Sequence, residues 1–396
     1  MFAQPGYRRL WAARTVSQWG DIVNTVTLAL LAYDLTGSGL GVSAVVGAEV
    51  LPVLLLAPVA GALVDRLPRV RVMVVADLAR AALVAILVVE PDRIALVLAV
   101  AFGLSVGTVF FNPAAGSVLP SLVGKDDLVA ANSGIWTAAV LSQIALAPLA
   151  GLAVVTLGFS WGFALNAVSY LASAVFLRGL RIPAAPAAPE RRRLLADALE
   201  GARVLVRDRL LRALAVAQLL AALSTGATSA LLVVYAREQL RVTGPGYGLL
   251  LAAIGAGAAL GPLLLLRYIT SPRRPLFVFG PFGLRGLVDL VLAATSRLPV
   301  AASALVGYGV GTSTGAVTFT SLLQAETPER LRGRVFASMD LLWQTGRLAS
   351  LALGGVLAET VGIRAVYVLG GVLLLLAAGY GLLGLRSLEP SKPSAP

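Results

Sequence analysis

The chain has no cysteine and no histidine among its 396 residues. That excludes disulfides, thiol chemistry, iron–sulfur clusters and most zinc or haem sites, so no metal is expected. Any group that handles protons must then be a carboxylate, with arginine as its natural partner. Charge is scarce too: Asp, Glu, Lys and Arg make up 13% of the chain, about half the ~25% of a soluble domain. Lysine is nearly missing, with Lys125 and Lys392 standing against 30 arginines. No GxxxxGK[ST] loop is present to cradle a nucleotide. No nucleophile–base constellation is visible, so neither an enzyme nor a cofactor is expected.

Apolar residues make up 58% of the sequence. They fall into about twelve runs of about 18–26 residues, the length that crosses a ~30 Å hydrocarbon slab at ~1.5 Å per residue. The first six predicted helices are Ala12–Tyr33, Val42–Val64, Val72–Val89, Ile94–Leu119, Asn132–Leu157 and Trp161–Leu180. The second six are Leu210–Ala236, Tyr247–Leu266, Leu276–Thr295, Val300–Leu323, Phe336–Ala358 and Ala365–Leu385. The expected fold is an all-α membrane protein, twelve transmembrane helices in two six-helix bundles around a central cavity.

A net charge of +12 would point to nucleic acid in a soluble protein. Here its placement gives another meaning. With both termini on one side, that side collects 24 of the 32 basic residues, the opposite side five, and three lie within helices (Arg80, Arg285 and Arg347). The positive-inside rule makes both termini cytoplasmic. The expected location is the inner membrane of a bacterial cell, with lipid and a small-molecule substrate as partners and no nucleic acid. The first apolar segment is too long, and lacks the small-residue cleavage site, for a removed signal peptide.

The sequence also repeats. Thr36-Gly-Ser-Gly39-Leu-Gly41 after the first helix matches Thr243-Gly-Pro-Gly246-Tyr-Gly248 after the seventh at four of six positions, at an offset of 207. Gly151 and Gly158 correspond to Gly355 and Gly362 at an offset of 204. These repeats predict bundles over 1–180 and 210–390, a cytoplasmic linker over 181–209 and a tail over 391–396. Parallel halves of this kind place a cavity between them that opens alternately to each side. The linker holds the proline-spaced stretch Pro183–Pro189, followed by an amphipathic surface helix over Leu194–Arg212 with Leu195, Leu199, Ala202 and Leu205/Val206 on one side.

The turn Gly61-Ala-Leu-Val-Asp65-Arg66-Leu-Pro68-Arg69-Val-Arg71 resembles the loop signature of the major facilitator superfamily, G-x-x-x-D-[RK]-x-G-[RK]-x-[RK], with Pro68 in place of the second glycine. Leu119–Ser133 and Glu326–Phe336 resemble a bacterial branch that includes macrolide-efflux-type and siderophore-exporter-type permeases. Ala147-Pro148-Leu-Ala-Gly151-Leu is similar to the exporter signature G-P-x-x-G-G, with two of its glycines replaced. The resemblance implies the major facilitator fold, a monomer, and a gating latch in which Asp65 caps the start of helix eleven. Gly61 would allow a close approach there, Arg66 and Arg69 would pair with acids or lipid phosphates, and Asp340 and Arg347 would complete the latch.

Intramembrane charge is costly, ~2.5–3.5 kcal/mol for a carboxylate at mid-helix, and marks function. Asp21 lies near mid-depth of helix one, with Gln18 and Thr25 on its face and Asn24 beside it. It is the expected proton-coupling residue; a purely structural Asp21 would instead bond to helix seven or Asn24. In the family, helices one, four, seven and ten line the cavity, which adds Asn112, Gln218, Thr225, Thr228, Thr312 and Thr314. Glu49 on helix two and Gln344 on helix eleven complete the expected cavity. Asp77 with Arg80, and Arg285 with Asp289, read as neutralising pairs on peripheral helices. The expected function is secondary active export of small amphipathic molecules (a drug, siderophore or metabolite) by proton antiport, with the proton gradient as energy source. Alternatives are an importer or facilitator of a small nutrient, and a non-transporting membrane sensor.

Overall fold

The computed structural model describes residues 2, 4–64, 66–124, 127–180, 182, 203–268, 275–328 and 331–385. Twelve long helices account for most of them: α1 (Pro5–Thr36), α2 (Gly39–Val64), α3 (Arg69–Val89), α4 (Ile94–Leu122), α5 (Leu128–Leu157) and α6 (Phe159–Arg178). Then come α7 (Arg209–Ala230), α8 (Gly244–Tyr268), α9 (Pro275–Ala294), α10 (Leu298–Glu326), α11 (Arg332–Thr360) and α12 (Ile363–Leu385). No strand occurs among the described residues. Ten of these helices are long and apolar enough to cross a bilayer by composition alone. The other two, α1 and α11, are diluted by Gln18, Asp21 and Asn24, and by Asp340, Gln344 and Arg347. The chain is thus a multi-pass membrane protein, and its two most polar helices are the first of one half and the fifth of the other.

Local signals set the helix ends. α1 starts at Pro5, whose missing N–H costs nothing at a first helical position. It stops at Gly37, whose φ of 58° is the left-handed cap and whose N–H donates to the Tyr33 carbonyl. Asp208 caps α7 by accepting from the Leu211 N–H at 2.8 Å. The far end of α7 continues through Leu232–Val234 into a π-helical turn, Tyr235–Gln239. Of the expected linker helix, residues 203–207 are helical, with Leu205 buried and Val206 exposed; most of the linker and the tail lie outside the described residues.

The two halves pack alike. α1 lies against α5 and α6, α3 bridges α4 and α6, and α2 packs on α4. In the same pattern α7 lies against α11 and α12, α9 bridges α10 and α12, and α8 packs on α10. Outward faces are apolar, as lipid requires: on α6, Leu165, Val168, Leu171 and Val175 form an exposed stripe at helical spacing.

The halves meet along two equivalent seams, α5 with α8 and α11 with α2. Both are built from small residues. A Cβ on Gly151 would stand 2.0 Å from the Gly244 carbonyl oxygen, and one on Gly248 would stand 2.2 Å from that of Ala147. Across the other seam, a Cβ on Gly355 would stand 2.9 Å from Ser43 Oγ, and one on Gly39 2.9 Å from Ala358 Cβ. Backbones approach this closely in membranes where small residues permit it. Both seams lie in the part of the bundle remote from the termini. There the Tyr33 hydroxyl also donates to Glu238 Oε1 at 3.3 Å, Arg237 pairs with Asp34 at 3.7 Å, and Ser38 Oγ donates to Glu359 Oε2 at 3.1 Å. Nearer the termini, α4 and α10 expose Asn112, Thr312 and Thr320 at membrane depth, where polar groups belong to a wet cleft and not to lipid. The bundle is sealed at its far end and cleft at the end that carries the termini.

Candidate functional site

Two polar clusters occupy the middle of the bundle, one in each half. In the first, Asp21 lies on α1 beside Gly20. A Cβ on Gly20 would lie 1.9 Å from Ser169 Oγ and 2.4 Å from Asn166 Oδ1, so the glycine lets α6 close in. That approach brings Tyr170 to Asp21, whose Oδ1 accepts from the phenol at 2.5 Å. Arg80 from α3 packs its guanidinium against the Tyr170 ring, 4.4 Å from the centroid, and against Phe111 at 4.8 Å. Arg80 is ion-paired with Asp77, and Ser173 Oγ donates to Asp77 Oδ2 at 2.6 Å. Asp77 and Arg80 are 0% and 2% exposed, so their charges cancel in a sealed site. Asp21 differs: it is half-buried, its donor is a neutral hydroxyl, and no cationic nitrogen of a described residue lies within 4.0 Å. Its partner is neither helix seven nor Asn24 but α6, 149 residues away in sequence.

The second cluster stands where the repeat puts it. Arg285 on α9 follows Arg80 by 205 residues, and Thr225 on α7 follows Asp21 by 204. Both arginines thread over a glycine of the next helix: a Cβ on Gly107 would meet Arg80 Cγ at 2.6 Å, and one on Gly311 would meet Arg285 Cγ at 2.8 Å. Beyond the glycine the two diverge. Arg285 Nη2 donates to Thr225 Oγ1 at 2.5 Å and to the Tyr308 hydroxyl at 3.0 Å. The expected Arg285–Asp289 ion pair is absent among the described residues. Asp289 is buried and accepts at 3.5 Å from Ser224 Oγ. Spacing of four residues puts both on one face of α9, but the Arg285 stem passes over Gly311 and its Nη2 is taken by Thr225 on α7 and Tyr308 on α10. There a cavity of about 260 Å³ is walled by Gln218, Phe282, Arg285, Thr312, Phe319 and Trp343.

The other expected cavity residues divide. Gln18 is half-buried, and Asn112 is exposed. Thr25 is exposed, but its hydroxyl is tied to the Asp21 carbonyl at 2.8 Å. Asn24 is buried, with Oδ1 unpartnered among the described residues. Thr228 is 3% exposed and bonded to the Ser224 carbonyl, so it packs between helices instead of facing the cleft. Thr314 bonds back to the Val310 carbonyl and borders a separate apolar cavity of about 180 Å³ between α8, α9 and α10. Glu49 is half-buried, with its carbonyl accepting from Ser105 Oγ at 2.5 Å. Gln344 is buried and accepts from Arg347 Nη1 at 3.5 Å.

In the latch region Asp65 lies outside the described residues. Gly61 makes no close approach to the described residues, since a Cβ there would meet none of them within 4 Å. The reason is the cleft: small-residue contacts between the halves are made at the far end. Arg66 and Asp340 are exposed, and Arg69 donates to the Ser117 carbonyl of its own half at 3.3 Å. Sequence reasoning missed Tyr170, Tyr308, Phe282, Phe319 and Trp343. The available signal was a lone arginine at the middle of each third helix, which needs partners somewhere.

A family model described as "transmembrane secretion effector" matches residues 1–392. The multidrug efflux pump Tap of Mycolicibacterium fortuitum is 32% identical over 379 residues, covering 90% of each chain. The enterobactin exporter EntS of Escherichia coli is 29% identical over 274 residues, 67% of this chain and 61% of that one. Among solved structures, a bacterial homologue of the lysosomal transporter Spinster, inward-facing and unoccupied, superimposes with a TM-score of 0.76 at 13% identity, over 98% of this chain and 100% of that one. An inward-facing bacterial homologue of the iron transporter ferroportin gives 0.75 at 17% identity, over 96% and 98%.

Proposed function

Because the chain belongs to the transmembrane secretion effector family of the major facilitator superfamily, and so is a membrane transporter and not an enzyme, we propose that it exports small amphipathic molecules by proton antiport. The similarity to a multidrug efflux pump and to a siderophore exporter supports the export direction. The arginine distribution supports cytoplasmic termini in a bacterium; on that reading the cleft faces the cytoplasm and the seams close the outside. Cargo enters the cleft from within, the seams part, the termini end closes, and cargo leaves outward.

The observation that carries the coupling is the unequal fate of two carboxylates. Asp77 is neutralised by Arg80 in a sealed pair, whereas Asp21, one ring away, is half-buried with only a phenol as donor. A carboxylate in that position is free to exchange a proton with whichever side the cleft faces. Each proton moving inward supplies ~1.4 kcal/mol per pH unit and ~2.3 kcal/mol per 100 mV. The direct test is dye accumulation in an efflux-deficient host. Cells making the protein should accumulate less dye, and a protonophore should erase the difference. Efflux indifferent to the protonophore would remove the proton from the scheme.

A further inference from the structure

Resting on that reading, we infer that the cavity beside Arg285 is the cargo subsite and that it takes an amphipathic anion, an oxyanion head on the guanidinium with an aromatic or apolar body behind it. The argument is a comparison of the two equivalent arginines. Arg80 has its counter-ion in place and both members are sealed. Arg285 occupies the same place in the repeat, no carboxylate of a described residue lies within 4.0 Å of it, and it borders a cavity. Its Nη2 is held by two neutral oxygens, which fix the direction of the fork without supplying a counter-ion in contact. Among the described residues Nη1 forms no hydrogen bond, while Nε is buried without an acceptor, as it is in Arg80. Asp289 accepts from Ser224 beside the α12 backbone at Gly370 and meets the guanidinium only through longer-range attraction. A guanidinium at membrane depth with donors to spare asks for an anion from outside the chain.

The rest of the cavity fits the body of such a molecule. Phe282, Phe319 and Trp343 supply apolar and ring surface, while Gln218 and Thr312 add polar groups. About 260 Å³ exceeds the ~150 Å³ that admits benzene. Thr312 and Thr320 are exposed, which gives an entry from the cleft. Among the described residues on the wall the only charged side chain is an arginine, so no cationic cargo is favoured here.

The test is equilibrium binding to the full-length protein in lipid nanodiscs, followed calorimetrically, with three bodies of one shape: 2-naphthoate, 2-naphthylmethanol and 2-naphthylmethylammonium. The wild type should bind the carboxylate at least about tenfold more tightly than the alcohol, the worth of one charge-assisted hydrogen bond, and the ammonium least. Arg285→Met should abolish that preference while Arg285→Lys keeps part of it. Trp343→Ala should weaken the naphthoate and the alcohol alike. Equal binding of carboxylate and alcohol by the wild type, no binding of naphthoate at millimolar concentration, or an unchanged preference in Arg285→Met would each overturn the inference. The wild-type comparison decides even if a variant fails to fold. Binding measured this way is indifferent to direction and energy source, so a failed efflux assay with anion-selective binding would reject the export reading and leave this one standing.

Discussion

The most consequential residue is Asp21, because its surroundings neither neutralise it nor strand it in lipid. Replacing it with Asn keeps the Tyr170 contact and removes only the titrating proton. Asp21→Asn should therefore fold, reach the membrane and bind cargo, but lose protonophore-sensitive efflux; dye retention in whole cells, with membrane protein quantified by immunoblot, checks this. Asp77 should behave in the opposite way. Asp77→Ala leaves Arg80 charged and sealed without its partner, a loss of about 3–5 kcal/mol. Asp289→Ala removes one long hydrogen bond, worth about 1 kcal/mol. Thermal unfolding in detergent should rank the first variant far below the second, and the double change Asp77→Asn, Arg80→Met should recover much of the loss. If the two single variants melt together, Arg80 is not neutralised where the ion pair places it.

At the scale of elements, twelve helices were legible because their apolar runs match a bilayer, and even α1 and α11 were found despite their polar stripes. What stayed hidden depended on contact at a distance. The start of α1 lay at Pro5 instead of Ala12, since arginines at 8 and 9 interrupt the apolar pattern without interrupting the helix. The i,i+3 pair Asp77–Arg80 forms, but the i,i+4 pair Arg285–Asp289 does not; both arginines cross a glycine of the next helix, and what differs is beyond it, where Thr225 and Tyr308 on other helices take Arg285 Nη2. The repeated glycines at 151 and 355 were visible as a repeat, yet their meaning as the two seams needs the packed structure. Those seams give the next prediction. A side chain on Gly151 collides with the Gly244 backbone, which cannot swing aside, so Gly151→Leu should hold the far end apart. Spin labels on cysteines introduced at Leu157 and Val361, in a chain with no native cysteine, should report a longer distance. Gly379→Ala, at a site where a Cβ meets nothing within 4 Å, should leave it unchanged.

For the whole molecule, backbone packing and the far-end polar contacts both hold the seal, and magnitude decides between them. Arg237 and Asp34 are 26% and 55% exposed at the side chain, and exposed ion pairs contribute about 0.2–1 kcal/mol. Asp34→Asn should therefore move the open–closed balance by no more than about fivefold, much less than Gly151→Leu; the same label pair measures both. A larger shift from Asp34→Asn would make the clamp, not the seams, the main closure. The division of charge between the halves has one more consequence. Asp21 rides on the first body and Arg285 on the second, so tilting changes the separation between acid and base while the spacing inside each cluster stays fixed. Each then travels through a different fraction of the transmembrane field, at ~2.3 kcal/mol per elementary charge per 100 mV. A voltage step across a planar bilayer holding this protein should draw a brief capacitive current with no cargo present, and Asp21→Asn should shrink it.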